Sequence, residues 1–172
     1  YKGLFAEGVT EVGCLAHARR KFNDLWVNHK SALAEEALKL FGELYDVERQ
    51  ARELNAEQRQ EIRQLQSRPI ADMLHEWLLL HRQKATDGTA IAKAIDYSLG
   101  RWEALMRFLD DGSLPIDNNW VENRIRPIAL GRSNWLFAGS LRAGKRAAAV
   151  MSLIQSARLN GHDPYRYLKD VL

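Results

Sequence analysis

A chain of 172 residues with 46% hydrophobic and 27% charged residues is long enough to bury a real core and too apolar for a disordered tail. Its one cysteine, Cys14, excludes an intrachain disulfide and a bridge-stapled secreted scaffold, and no apolar run, Trp77 to Leu80 included, approaches the roughly 20 residues of a membrane helix. Net charge is only +3, but from Asn118 to Arg146 six cations (Arg124, Arg126, Arg132, Arg142, Lys145 and Arg146) accompany a single acid, Glu122. The opening at Tyr1 reads as mid-domain sequence with no signal peptide, so the chain is expected to be part of a longer, cytoplasmic protein with no membrane partner.

Val9 and Val12 flank a short run closed by Gly13, which predicts a strand over about Val9 to Cys14. From Leu15 to His29, apolar Leu15, Ala18, Phe22, Leu25 and Trp26 recur every three or four positions, giving an amphipathic helix with Arg19, Arg20, Lys21 and Asp24 on its other face. Ser31 is placed to cap a long helix to about Leu54, striped by Leu33, Ala37, Leu40, Phe41, Leu44, Tyr45 and Ala51. Asn55 interrupts, and Ala56 to Gln66 resumes helical composition. Pro69 then starts or kinks a helix whose buried side is predicted as Ile70, Met73, Leu74, Trp77, Leu78 and Leu80. After the Asp87-Gly88 turn, Thr89 caps a helix to about Leu109 with Ile91, Ile95, Leu99, Trp102, Leu105, Met106 and Phe108 inward. The helical region should hold Trp26, Trp77 and Trp102 in its core.

The character changes at Asp110-Asp111-Gly112-Ser113, a turn signal. Asp117 sits at the N-cap position of a short helix expected to stop near Ile125, because Pro127 opposes its continuation. Ala143 to Asn160 is an alanine-rich helix ended by Gly161, and a last helix starts at Pro164. There is no internal repeat.

The run Leu114 to Ser140, LPIDNNWVENRIRPIALGRSNWLFAGS, resembles the insertion-sequence 66 family of transposases through Asp117-Asn118-Asn119, Glu122-Asn123, Ile125-Arg126-Pro127, Ala129 to Arg132 and Asn134 to Ser140. Gly13-Cys14 with Ala16 to Phe22, and Leu159-Asn160-Gly161 with Asp163-Pro164-Tyr165, Tyr167-Leu168 and Asp170 to Leu172, extend the likeness in order along the chain. Three positions depart from the family pattern: Leu15 where tryptophan is usual, Trp120 where a small residue is common, and Ser133 where lysine is common. The resemblance implies an RNase H-like catalytic core with an Asp, Asp, Glu triad, in which Glu122 matches the glutamate and both aspartates lie upstream of Tyr1. It also implies DNA cleavage and strand transfer by the complete protein. Mg2+ or Mn2+ would be the cofactor, transposon ends and target DNA the substrates, and a homo-oligomer the working form. Hard carboxylate oxygens suit a two-metal phosphodiester reaction, and one glutamate alone does not suffice for it.

Read from the residues alone, Glu122 lies near the positive end of the short helix with Arg126 four residues on, which also describes an ordinary surface ion pair. Asn118, Asn119 and Asn123 can reach phosphate or cap and turn the chain. Arg124, Arg126, Arg132, Arg142, Lys145 and Arg146 are phosphate partners or a solvated face, and Trp135 is a base-stacking platform or, with Leu136 and Phe137, a core wedge. Cys14 and His17 make a weak zinc signal without a second pair, and His75 and His81, six apart, do not share a helical face. The expected fold is mainly α: a partial RNase H-like α/β core over 1–30, an all-helical insertion over 31–110, the return to the core over 111–141, and a C-terminal helical element over 142–172. A catalytically inactive DNA-binding module is one rival. An oligomerisation module is another, which a large exposed apolar stripe on residues 33 to 54 would favour.

Overall fold

The computed structural model describes residues 8–135 and 139–171, with the side chains at 127, 128 and 132–135 excepted. The chain is mainly α and divides into two compact units, Tyr1–Asn119 and Trp120–Leu172. The first holds α1 (Leu15–His29), α2 (Ala32–Gln50), α3 (Ala56–Ile62), a π-helical turn (Arg63–Ser67), α4 (Arg68–Lys84), α5 (Ala90–Leu99), α6 (Trp102–Met106) and a 3-10 turn (Arg107–Leu109). Helix α7 (Asn119–Trp135) begins at the last residue of that unit, and α8 (Leu141–Leu159) and α9 (Pro164–Val171) follow in the second.

Each boundary in the first unit has a local cause. The Ser31 hydroxyl accepts from the Ala34 N–H, and the Thr89 hydroxyl from the Ala92 N–H, so the predicted caps are those used. Asn55 does more than interrupt: its side chain accepts from the Gln58 N–H while the Gln58 side chain accepts from the Asn55 N–H, a reciprocal box that opens α3. Helix α2 ends at Gln50, short of the expected Leu54, with the Ala51 N–H donating to the Val47 carbonyl. Pro69 falls in the first turn of α4, which continues from the π-helical turn without a break. The single helix expected from Thr89 to Leu109 is broken at Gly100-Arg101, since glycine weakens a helix interior.

The core is one cluster of Leu15, Ala18, Phe22, Leu25, Ala34, Ala37, Phe41, Leu44, Ala71, Leu74, Leu78, Ala94, Ile95, Leu105, Met106, Phe108, Leu109 and Ile116. The α1 stripe was placed correctly except Trp26, which is 38% exposed under the Lys30 ammonium. On α4, Met73 and Leu80 are exposed, so the buried face is Ala71, Leu74 and Leu78, a narrower stripe than the composition suggests. Trp77 and Trp102 flank the core, edge-on to Phe22 and stacked on His75 respectively.

One buried cation ties the unit together. Arg63, 1% exposed, grips both Glu48 oxygens at 2.7 Å from Nε and Nη2. Its Nη1 donates to the carbonyls of Phe108 (2.8 Å), Asp111 (3.1 Å) and Leu114 (2.9 Å). A guanidinium satisfied in this way brings α2, the π-helical turn and the 108–114 loop together. That loop lies so close that a Cβ on Gly112 would run into the Ala56 carbonyl. Likewise a Cβ on Gly13 would sit 2.8 Å from the Leu105 nitrogen.

The strand expected over Val9 to Cys14 is not formed, and among the described residues no strand is present. Cys14 is extended, but Gly13 N–H donates to the Ala104 carbonyl (2.7 Å) and Leu15 N–H to the Ile116 carbonyl (3.1 Å), two different segments and not one partner strand. The α/β part of the expected fold therefore finds no counterpart among the described residues. Helix α7 also corrects the sequence reading. It runs through position 127 to Trp135, although proline there leaves the Asn123 carbonyl without its usual intrahelical donor. In the second unit, the Ser140 hydroxyl caps α8 through the Ala143 N–H, and Gly161 (φ +75°) closes it as expected, with His162 N–H reaching the Ala157 carbonyl at 2.9 Å.

Candidate functional site

Glu122 lies in the first turn of α7, half-buried, one turn earlier than the sequence reading placed it. The first turn is where the unpaired N–H groups of the helix make its positive end, so a carboxylate is favoured there. Asn123 and Arg126 are exposed on the same helix, and Arg124 is half-buried with its guanidinium 5.1 Å from the centre of the Trp120 ring. Trp120, a departure from the family pattern, is 67% exposed, whereas Leu15, another, is fully buried. Arg132, Trp135, Leu136 and Phe137 lie outside the described side chains.

Arg142, Lys145 and Arg146 are exposed in the first turns of α8, whose opening turn carries no acid. Cations at a helix N-terminus oppose the macrodipole, and a bound anion would reverse that cost. The described residues thus put five of the six basic side chains of this segment at exposed or half-exposed positions of the second unit.

Asn118 and Asn119 belong to the end of the first unit and are exposed. Their backbones are committed: Asn118 N–H donates to the Cys14 sulfur (3.5 Å) and Asn119 N–H to Asp117 Oδ1 (3.0 Å). Asp117 is the pivot that sequence reasoning treated only as a cap. Its Oδ2 accepts the Tyr45 hydroxyl at 2.9 Å, and burial together with the Asp117 charge pushes the Tyr45 phenol well above its ordinary value of 10.0.

Tyr45 and Asp117 stand in a groove of 470 Å³ between α1 and α2, lined also by Arg19, Arg20, Asn23, Asp46, Arg49 and Asn119. The sequence signal for it was present in two i, i+3, i+4, i+7 sets, Ala16/Arg19/Arg20/Asn23 and Gly42/Tyr45/Asp46/Arg49. Tyr45 hid it by reading as part of the apolar stripe.

As a metal centre the described residues fall short: no group of three or more His, Cys, Asp or Glu among them is arranged to hold an ion. Cys14 serves as an acceptor for Asn118, and His75 and His81 pack on Trp102 (4.6 Å) and Trp77 (4.2 Å). Glu122 alone offers two oxygens, too few for a hard divalent cation. Among the described residues no helix is long and apolar enough to cross a membrane.

Comparison with known proteins follows the same residues. The model of the Transposase IS66 family matches residues 1–146, and that of the IS66 C-terminal element matches 152–172. Three Sinorhizobium fredii proteins are similar: uncharacterized protein y4hP, 42% identical over 95% of this chain; y4jD, 44% over 92%; and y4qI, 40% over 96%. The chain spans only 32%, 31% and 31% of their respective lengths. No solved structure matches it. With a family model covering most of its length and the motif residues in order along α1, α7, α8 and α9, the chain belongs to the IS66 family of transposases.

Proposed function

We propose that this chain is part of a transposase that cuts and joins DNA with Mg2+ or Mn2+, and that Glu122 is its contribution to the metal-binding carboxylates. The observation that carries the reading is Glu122 itself: the only acid in a cationic segment, fixed in the first turn of a 17-residue helix and half-buried. A carboxylate on a rigid element among cations is what a phosphoryl-transfer site asks of the protein. The remaining ligands and the rest of an RNase H-like core would come from elsewhere in the complete protein; among the described residues no group of three or more His, Cys, Asp or Glu is arranged to hold an ion. The metal, when bound, would polarise the phosphodiester and activate the attacking oxygen. This chain's own part is to position Glu122 and to bring DNA phosphate to Asn118, Asn119, Asn123, Arg124, Arg126, Arg132, Arg142, Lys145 and Arg146, with Trp135 available for stacking.

The decisive assay is strand transfer of a labelled transposon end by the complete protein. Glu122→Gln should lower it by more than about 100-fold, since even outer-shell partners of a catalytic metal are worth 10–100-fold, while end binding is retained. A Glu122→Gln protein as active as its parent would remove the catalytic role and leave a DNA-binding module. The cationic opening of α8 favours that second reading over oligomerisation. The stripe on α2 that would have favoured oligomerisation is spent internally, with Ala34, Ala37, Phe41, Leu44 and Val47 all buried.

A further inference from the structure

The walls of the α1–α2 groove are two matched helical stripes. Arg19 and Arg20 project from α1 with Asn23 one turn further on, and Arg49 from α2. Ala16 and Gly42 add little bulk to the groove, and nothing beyond Gly42's own stretch of helix lies within 4 Å of the place a Cβ there would take. Three guanidiniums meet two carboxylates here, but the carboxylates are already engaged. Asp46 is ion-paired with Arg49, and Asp117 accepts from the Tyr45 hydroxyl and the Asn119 N–H. Arg19 and Arg20 are exposed and form no ion pair among the described residues. Arg19 is near enough to the floor that its charge pulls the Tyr45 phenol down against burial and Asp117.

We infer that this groove is a further contact site for the backbone phosphates of DNA, built on α1 and α2 and sharing only Asn119 with the segment 118–146. Arg19 and Arg20 supply planar donor forks that match phosphate oxygens, and Asn23 adds an amide donor on the same wall. The engaged carboxylates of Asp46 and Asp117 keep an anion off the Tyr45 floor and leave it at the Arg19–Arg20 rim. Exposure of Arg19, Arg20, Asp46, Arg49 and Asn119 leaves the groove open along its rim, which suits a strand passing across it. No base edge is needed for such a contact, so it would add affinity and not sequence preference. The inference rests on DNA being the partner, as proposed above.

The test is fluorescence anisotropy of a labelled duplex with the whole chain over a series of salt concentrations, with circular dichroism confirming helix content of each variant. Arg19→Gln/Arg20→Gln should weaken binding about 10-fold at low salt and flatten the slope of log K against log salt by about 2, as expected for two lost phosphate contacts. Arg52→Gln/Lys84→Gln, which removes two exposed cations outside the groove, should change the slope far less, and Arg19→Lys/Arg20→Lys should keep it. A groove variant indistinguishable from the Arg52/Lys84 control overturns the inference. If in that case Arg142→Gln/Lys145→Gln/Arg146→Gln still loses binding, the DNA-binding reading survives without the groove. Wild-type chain that binds no duplex, or binds with no salt dependence, overturns both.

Discussion

The two units make opposite use of their apolar residues. In the first, Leu15, Phe22, Phe41, Leu44, Leu74, Leu78, Ile95 and Phe108 are all at most 1% exposed. In the second, Val121 (46%), Ile125 (54%), Leu130 (62%), Leu141 (77%) and Val150 (43%) are open, and Ala157 is the one buried residue among those described. The family resemblance is densest in Leu114 to Ser140, so the most recognisable stretch adds only Ile116 to the core cluster of the described chain. Packing explains the residue choices of the first unit. Among the described residues of the second unit, packing explains only Ala157.

The largest effect should come from the buried Arg63. Arg63→Met leaves Glu48, only 15% exposed, facing an apolar neighbour, and strips three carbonyls of their donor. Breaking one side of a buried pair costs about 3–5 kcal/mol, so urea denaturation should show the first unit severely weakened. Arg63→Met/Glu48→Met should recover a large share of that loss, because no charge is then stranded. A single variant with an unchanged midpoint would mean that the π-helical turn is not what joins α2 to the 108–114 loop.

A paired measurement breaks or sharpens the contrast between units directly. Phe41→Ala should cost about 3–5 kcal/mol, the range for emptying a buried phenylalanine site, whereas Leu130→Ala should stay within about 0.5 kcal/mol. Equal losses would show that the second unit has a core through Leu130 after all, and the contrast would collapse.

How far the sequence could be read depended on whether a residue's role was local. Caps at Ser31 and Thr89, the Gly161 stop and the α1 stripe short of Trp26 follow from neighbours within a turn or two, and they were legible, whereas Asn55 read only as an interruption and not as the cap it is. Arg63 was not, since its partners lie 15 to 51 positions away and an arginine in a polar helix reads as solvated. The break at Gly100 and the passage of α7 through position 127 were misjudged because a weak helix interior can be tolerated or not according to context that periodicity does not carry. For the site, family motif residues pointed to Glu122 and the asparagines, but the groove needed the fold. Two helical stripes 26 residues apart in the chain become one surface only when α1 packs on α2.

The smallest expected effect concerns the place where the motif enters the core unit, the hydrogen bond from Tyr45 to Asp117. Tyr45→Phe removes one donor to a charged acceptor and should cost about 1.5 kcal/mol at neutral pH. The wild type adds a signature in alkali. Burial, then the Asp117 charge, raise the folded-state pKa of Tyr45 above its ordinary 10.0, so the folded chain holds this proton after the unfolded chain has released it. The stability from this group is fully present below pH 10 and is lost as pH climbs above it. Denaturation midpoints of wild type and Tyr45→Phe should therefore be furthest apart at neutral pH and converge above pH 10. Curves that run parallel across that range would mean Tyr45 releases its proton as readily folded as unfolded. Asp117 would then be held by its Asn119 contact alone.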